Sequence, residues 1–186
     1  MIKYLKWAII AVMIAAVGIF LLSQIGGVLI SEVIEEIKTE ERQDPDAALK
    51  GKTTPYFELP ELSGATVKIT DFLDGPVVVL FWTTWNQNSA DQLKILDDYV
   101  RINGDSLFKV IAIASQEDKS AVSNFISRGG YGLTVLLDEN GAVGEKYGAR
   151  NLPTTFFIDK DGFIRDLAVG VINDREILKK AESVIK

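Results

Sequence analysis

The residues of greatest chemical interest follow one apolar run. Residues 77–81 are apolar throughout, and the chain continues Trp-Thr-Thr-Trp-Asn-Gln-Asn-Ser, which places Asn86 and Ser89 three residues apart at a predicted helix start. A serine hydroxyl becomes a nucleophile only when a neighbouring base takes its proton, and the chain contains no histidine. This segment therefore predicts structural or binding chemistry rather than nucleophilic catalysis.

The composition excludes several kinds of site. With no cysteine and no histidine, the chain cannot form disulfides, thiol nucleophiles, thiolate or imidazole metal sites, or a Ser-His-Asp triad. A net charge of −6 argues against a nucleic-acid surface, which needs clustered Lys and Arg. The acidic segments DENG (138–141) and DKDG (159–162) lack the spacing of a calcium loop and are predicted to be turns. We therefore predict neither a metal site nor a cofactor.

The first 31 residues are typical of a membrane anchor. No charged residue occurs between Trp7 and Ser31, and about 20 apolar residues suffice to cross a bilayer. Lys3 and Lys6 precede the run, so the N-terminus is predicted to be cytoplasmic and the remainder periplasmic or extracellular. A cleaved secretory signal is the alternative, although the run exceeds the usual signal core of about 7–15 residues. Both interpretations export the C-terminal part.

Residues 32–50 are predicted to form a juxtamembrane helix and a linker. Helical spacing aligns four apolar side chains at its start, namely Ile30, Val33, Ile34 and Ile37. This stripe is either part of a solvated stalk or a surface through which the chain forms a homodimer. The composition from Asp46 to Thr54 is typical of a linker.

Residues 51–186 alternate between strand-like and helix-like segments. The predicted strands are 65–69, 77–81, 108–114, 133–137, 154–158 and 163–169, with helices after 86, at 119–128, at 143–147 and at about 173–185. Ile177, Leu178 and Val184 form the apolar side of the last helix. This order predicts an α/β fold in which helices cover a mixed central sheet.

Two stretches of this domain resemble the TlpA/ResA-like branch of the thioredoxin fold, within the redoxin (AhpC/TSA-like) superfamily. PYFELPELSGATVKITDFLDGPVVVLFWTTW is similar to the family's entry strand and active-site strand. YGARNLPTTFFIDKDGFI is similar to its cis-proline loop and hairpin. The resemblance covers nearly all of residues 51–186 and implies a thioredoxin-like domain with a cis Leu152–Pro153 bond beside Trp85 and Asn86. Members are membrane-anchored or exported thiol–disulfide oxidoreductases.

The chain departs from this family at the catalytic residues. A Cys-x-x-Cys pair follows the second tryptophan in the family, and Asn86 and Ser89 stand at the two cysteine positions here. Thiol–disulfide exchange requires a thiolate, so the resemblance implies an active site that has lost its chemistry. Asn is a favoured N-cap residue, and Asp91 is predicted to complement the positive end of the helix from its first turn. We interpret the site as a stabilised helix start.

Two functions remain open on the sequence alone. In the first, the exported domain is redox-inactive and binds a protein or peptide partner through Trp85, Asn86, Gln87, Leu152 and Pro153. In the second, it is a thiol–disulfide oxidoreductase for cytochrome c maturation or disulfide reduction, with thiols supplied by a partner. Replacement of cysteines in an active parent protein is a further explanation of the sequence.

Overall fold

The computed structural model describes residues 49–185. The predicted membrane span and the stripe from Ile30 to Ile37 lie outside this range and remain predictions. Among the described residues, none of the helices has the length and apolarity needed to cross a bilayer.

The described chain alternates strands and helices in the predicted order. The elements are β1 (Glu58–Pro60), β2 (Thr66–Lys68), a 3₁₀ turn (Ile69–Phe72), β3 (Val77–Trp82), α1 (Gln87–Asn103), β4 (Lys109–Ser115), α2 (Lys119–Gly129), β5 (Thr134–Asp138), α3 (Ala142–Lys146), β6 (Thr154–Ile158), β7 (Ile164–Val169) and α4 (Asp174–Ala181). The predicted α/β class is thus confirmed.

The central sheet has five strands in the order β5-β4-β3-β6-β7. Strands β3, β4 and β5 are parallel, whereas β6 and β7 are antiparallel to their neighbours. Every residue of β3 is buried, as expected for a continuous apolar run at the centre of a sheet covered on both faces. The carboxyl ends of the three parallel strands meet at one edge, and the segment after Trp82 leaves from that edge.

Alternate side chains of β3 enter two separate cores. Leu80 and Trp82 belong to the core formed with α1, α2 and α4. Val79 and Phe81 point to the opposite face, where α3 and the β1–β2 hairpin complete a second core. The strand's two-residue period therefore positions both layers around one central element.

The last helix is shorter than predicted, and of its three predicted apolar residues Ile177 and Val184 are buried whereas Leu178 is not. It ends at Ala181 rather than near residue 185, and Leu178 is 41% exposed. Ala181 and Val184 are buried with Ile177, at helical spacings of four and seven residues. The prediction that Leu178 points inward was wrong because Ala181, a small residue, occupies the inward position.

The β6–β7 hairpin turns at DKDG as predicted, and Asp159 holds the turn together. Its carboxylate accepts hydrogen bonds from the backbone N–H of Asp161 (3.0 Å) and Phe163 (2.8 Å) and from Nε of Arg165 (2.5 Å). Burial works against the charged form, but these donors outweigh it and hold the pKa of Asp159 below its usual value.

Residues 51–54 pair with the hairpin instead of forming a linker. The backbone N–H of Gly51 donates to the Ile164 carbonyl (2.7 Å), and the Ile164 N–H donates to the Lys52 carbonyl (2.9 Å). The predicted linker from Asp46 to Thr54 was therefore wrong in this part. The polar side chains of this segment suggested a linker, whereas its strand pairing is formed by backbone groups and does not depend on side-chain type.

Both borders of the sheet have additional partners. At β5, Glu61 forms a bridge with Leu136. At β7, the N–H of Leu167 donates to the Asp166 carboxylate (2.9 Å), and the Lys180 ammonium donates to the Leu167 carbonyl (2.9 Å). Side chains thus occupy the hydrogen-bonding groups of Leu167 at the outer strand.

Candidate functional site

Asn86 caps helix α1, as the sequence predicted. Its backbone is extended (φ −99°, ψ 117°), and its side-chain oxygen Oδ1 accepts a hydrogen bond from the Ser89 N–H at 3.3 Å. Asp91 lies in the second helical turn, where it accepts a hydrogen bond from Gln87 Nε2 at 2.8 Å. The predicted role of Asp91 in the first turn was therefore wrong, because Asp91 is the fifth residue after the correctly predicted cap at Asn86.

The Asn86 side chain also joins the helix to the neighbouring loop. Its amide nitrogen Nδ2 donates to the Leu152 carbonyl at 3.1 Å, and the Leu152–Pro153 peptide bond is cis, as predicted. One amide thus satisfies a helix N–H with its oxygen and a loop carbonyl with its nitrogen. Asn86 connects two loops that are 66 residues apart in the chain.

The five predicted binding residues differ in accessibility. Trp85 is 74% exposed, Gln87 is exposed, and Asn86 and Leu152 are half-buried. Pro153 is buried, and its carbonyl accepts a hydrogen bond from the Gly170 N–H at 2.8 Å. The proline ring therefore supports the surface from below rather than forming part of it.

Ser89 lies beneath this surface. Its side chain is fully buried, and its hydroxyl has no hydrogen-bond partner within residues 49–185. One helical turn later, Gln92 is also fully buried, with Oε1 accepting from the Ile172 N–H at 2.7 Å and Nε2 unpartnered in the described chain. The sequence offered one indication that Gln92 belongs to the site, which is that it follows Ser89 by three residues and so lies on the same side of the helix.

A carboxylate braces the loop that carries Trp85. Glu117 accepts hydrogen bonds from the Thr84 N–H at 2.7 Å and from the Thr84 hydroxyl. The chain on both sides of Trp85 is therefore fixed, by Glu117 at Thr84 and by Leu152 at Asn86. The tryptophan projects from a rigid support.

A cavity of about 460 Å³ opens beside Trp85 at the carboxyl ends of the parallel strands. Its lining comes from four segments of the chain: Thr83 and Trp85; Ser115 and Gln116; Asn140, Gly141, Gly144 and Glu145; and Ala149, Arg150 and Leu152. Sequence reasoning identified only Trp85 and Leu152 of this set. The other residues have no shared spacing in the sequence.

Tyr147 secures the layer beneath helix α3. Its hydroxyl donates to the Pro55 carbonyl at 3.0 Å and lies 2.6 Å from the Thr54 hydroxyl oxygen. Burial raises the pKa of Tyr147 far above its usual value, against a smaller opposing effect of the Thr54 hydrogen bond. The phenol therefore stays neutral and acts as a structural hydrogen-bonding group.

The centre of the site offers side chains for contact and hydrogen bonding and contains neither a thiol nor an imidazole. The residues at the helix start offer an amide, a buried hydroxyl and an exposed indole. In the described part of the chain, no cluster of acidic side chains has the arrangement of a metal site.

Known proteins share the fold and most of the domain. The model of the AhpC/TSA family matches residues 50–167. The thiol-disulfide oxidoreductase ResA of Geobacillus thermodenitrificans is 29% identical over 138 residues, covering 74% of this chain and 79% of that protein. The ResA of Geobacillus kaustophilus is 28% identical over 157 residues, covering 84% and 90%.

A solved structure of a thioredoxin is also similar to this chain. The exposed lipoprotein thioredoxin Etrx1 of Streptococcus pneumoniae superposes with a TM-score of 0.58 at 28% identity, covering 69% of this chain and 98% of that one. The predicted thioredoxin-like fold is therefore confirmed.

Proposed function

Since this chain belongs to the AhpC/TSA family but contains no cysteine, we propose that it is a redox-inactive binding module. The module is anchored in the cell membrane by its N-terminal helix and faces the periplasm or the cell exterior. It holds an extended segment of a partner protein against Trp85 and Leu152. Its role is recognition rather than catalysis.

One observation carries this proposal. The position of the family's first cysteine holds an amide that connects the helix to the cis-proline loop through both its oxygen and its nitrogen, while the adjacent Trp85 remains 74% exposed. A large exposed aromatic side chain on a rigid support is typical of a binding anchor, because it offers contact area with little loss of conformational entropy. The scaffold is thus kept while the reactive atoms are absent.

The proposed location rests on the first 31 residues and on a relative. The uncharged run from Trp7 to Ser31 has the length of a membrane span, and the similar Streptococcus pneumoniae thioredoxin is described as an exposed lipoprotein. Both favour a tethered domain outside the cytoplasm.

Photo-crosslinking in native membranes tests the proposal directly. A benzophenone amino acid replaces Gln87, which is exposed and lies two residues from Trp85, and the covalently attached proteins are identified by mass spectrometry. We expect a discrete adduct that is lost in the Trp85→Ala background. An adduct of unchanged yield in that background would place the interface elsewhere.

A matched control is available at the other end of α1. Ile102 is 79% exposed and lies about 22 Å from Gln87 along the helix, at 1.5 Å per residue. Ile102→Ala removes a comparable exposed apolar group and should leave the Gln87 adduct unchanged.

The second candidate is a thiol–disulfide oxidoreductase that uses thiols of a partner protein. The relatives named thiol-disulfide oxidoreductase ResA favour it, whereas the lack of any cysteine in the chain opposes it. An insulin-reduction assay separates the two candidates, since turnover by the purified chain alone would contradict the binding proposal.

A further inference from the structure

The cavity beside Trp85 has the size and position of a ligand pocket. Its volume of about 460 Å³ falls within the range of roughly 300–1,000 Å³ that is usual for ligand sites. It lies outside the carboxyl ends of β3, β4 and β5, where open α/β sheets bind their ligands. Trp85 and Leu152 belong to its lining, so it is continuous with the proposed binding surface.

Two of the residues that line this cavity carry buried hydroxyls without hydrogen-bond partners. Thr83 and Ser115 both line it, and each directly follows a member of the register pair Trp82–Ala114. Thr83 is 1% and Ser115 7% exposed, and neither hydroxyl has a hydrogen-bond partner among residues 49–185. Buried hydroxyls without partners are unfavourable, and a guest with a suitable donor and acceptor would relieve this.

The rim contains the one strained residue of its kind in the described chain. Gln116 has a φ of +56° and is the only non-glycine residue of positive φ between 49 and 185. Gly141 closes tightly on it, because a Cβ atom at this glycine would lie 2.5 Å from Gln116 Nε2. Residues held in such sparsely populated conformations cluster at ligand sites.

The charges in the lining offset one another. Glu145 and Arg150 both line the cavity, and neither has an ion-pair partner in the part of the chain that the structure describes. Both side chains are exposed to solvent, which weakens their effect, and together they give a charged guest no net attraction. The lining therefore favours a neutral guest that forms hydrogen bonds.

We infer that this cavity is a side-chain pocket selecting a neutral amide, glutamine or asparagine, on the partner segment that crosses Trp85 and Leu152. The inference rests on the proposed function. Side chains of an extended segment alternate between two sides, so a segment in contact with Leu152 presents one of them to the cavity mouth. An aliphatic guest would exclude water and leave the Thr83 and Ser115 hydroxyls unpaired, and sites built for hydrogen bonding reject such analogues.

Nuclear magnetic resonance of the purified full-length chain tests the pocket with two matched probes. These are N-acetyl-glutamine-methylamide and N-acetyl-norleucine-methylamide, which have similar length and differ in the terminal amide. We expect saturable shifts of the Ser115, Gln116 and Gly141 amide signals, with the glutamine probe binding roughly 5-fold more tightly, as one or two added hydrogen bonds would give.

Two variants isolate the hydroxyls. Thr83→Val and Ser115→Ala, singly and together, should reduce the preference for the glutamine probe toward unity and leave the norleucine probe unchanged. The single variants serve if the double variant fails to fold. Ile102→Ala, on a distant surface, should leave both affinities unchanged.

The outcomes separate the pocket from the proposed function. Equal affinity for the two probes, or the absence of saturable shifts at the three amides, would overturn the pocket. If these shifts fail while the Gln87 crosslink persists, the binding surface stands without its pocket. If the probes bind selectively while the crosslink is absent, the proposed partner binding fails and the pocket stands as an amide site.

Discussion

The two hydrogen bonds of Asn86 can be separated by substitution. Asn86→Ala removes the acceptor for the Ser89 N–H and the donor to the Leu152 carbonyl. An N-cap contributes about 1 kcal/mol, and a typical hydrogen bond contributes about 1 kcal/mol. We therefore expect Asn86→Ala to lower the free energy of unfolding by about 2 kcal/mol.

Asn86→Asp removes only one of the two hydrogen bonds of Asn86. A carboxylate still accepts from the Ser89 N–H and is favoured at the helix start, but it cannot donate to the Leu152 carbonyl. The expected loss for Asn86→Asp is about 1 kcal/mol at neutral pH, half that of the alanine variant.

Urea unfolding of the full-length chain measures both losses. Tryptophan fluorescence follows the unfolding, because Trp82 is fully buried in the core next to this site and becomes exposed to water when the domain unfolds. A thermal melt provides an independent scale, at roughly 3–6 °C per kcal/mol for a domain of this size.

Two results would refute this reasoning. Equal losses of stability for the alanine and aspartate variants would show that the helix cap contributes nothing. If the aspartate variant were as stable as the parent, the hydrogen bond to the Leu152 carbonyl would contribute nothing. Asn88→Asp adds a charge two residues away at an exposed position. It controls for the effect of charge near the helix start.

Four further predictions follow from other contacts. Ser89→Ala should leave stability unchanged or raise it by up to about 1 kcal/mol in urea unfolding, because it removes an unpartnered buried hydroxyl; a loss above that size would reveal a missed partner. Asn86→Cys combined with Ser89→Cys should give measurable insulin reduction where the parent chain has none, since the two positions keep the Cys-x-x-Cys spacing; an inactive double variant that forms its disulfide would show that the frame is no longer competent. Asp159→Asn should destabilise the chain at pH 7, because the native carboxylate has a lowered pKa. Its contribution is present above the unfolded value of about 3.9 and is lost as the pH falls through the lower pKa of the folded state, so the difference between the variant and the parent should narrow in acid unfolding curves as the pH falls below the unfolded value. Gly141→Ala should cost at least about 1–2 kcal/mol, since its φ is +73° and the new Cβ would collide with the Gln116 amide; the matched substitution Gly75→Ala, where nothing lies within 4 Å, should cost less.

The parts of the fold that depend on local patterns were predictable from the sequence. The apolar run of β3 and the DKDG turn each contain their own signal within a few residues. The cap at Asn86 is likewise local, because the N-cap preference depends on a side chain and a backbone N–H three residues away. The resemblance to a known family added the cis bond before Pro153.

The parts that depend on packing were not predictable. Leu178 and Ala181 are both apolar, and only the position of the sheet decides which one is buried. The cavity brings together Thr83, Ser115 and Arg150 from separate segments, and no spacing in the chain relates them. The error at Asp91 was of another kind, because the cap at Asn86 was predicted correctly and already places Asp91 beyond the first turn of α1.

The blocked border at β7 has a consequence for a protein held at high density. An outer strand with free N–H and carbonyl groups is a template on which further copies can polymerise. At Leu167 both groups are already occupied, by Asp166 and Lys180, so a neighbouring copy cannot form ladder hydrogen bonds at this residue. Pairing of crowded copies along this strand is therefore interrupted at Leu167, and Asp166→Ala with Lys180→Ala should increase aggregation by removing that interruption.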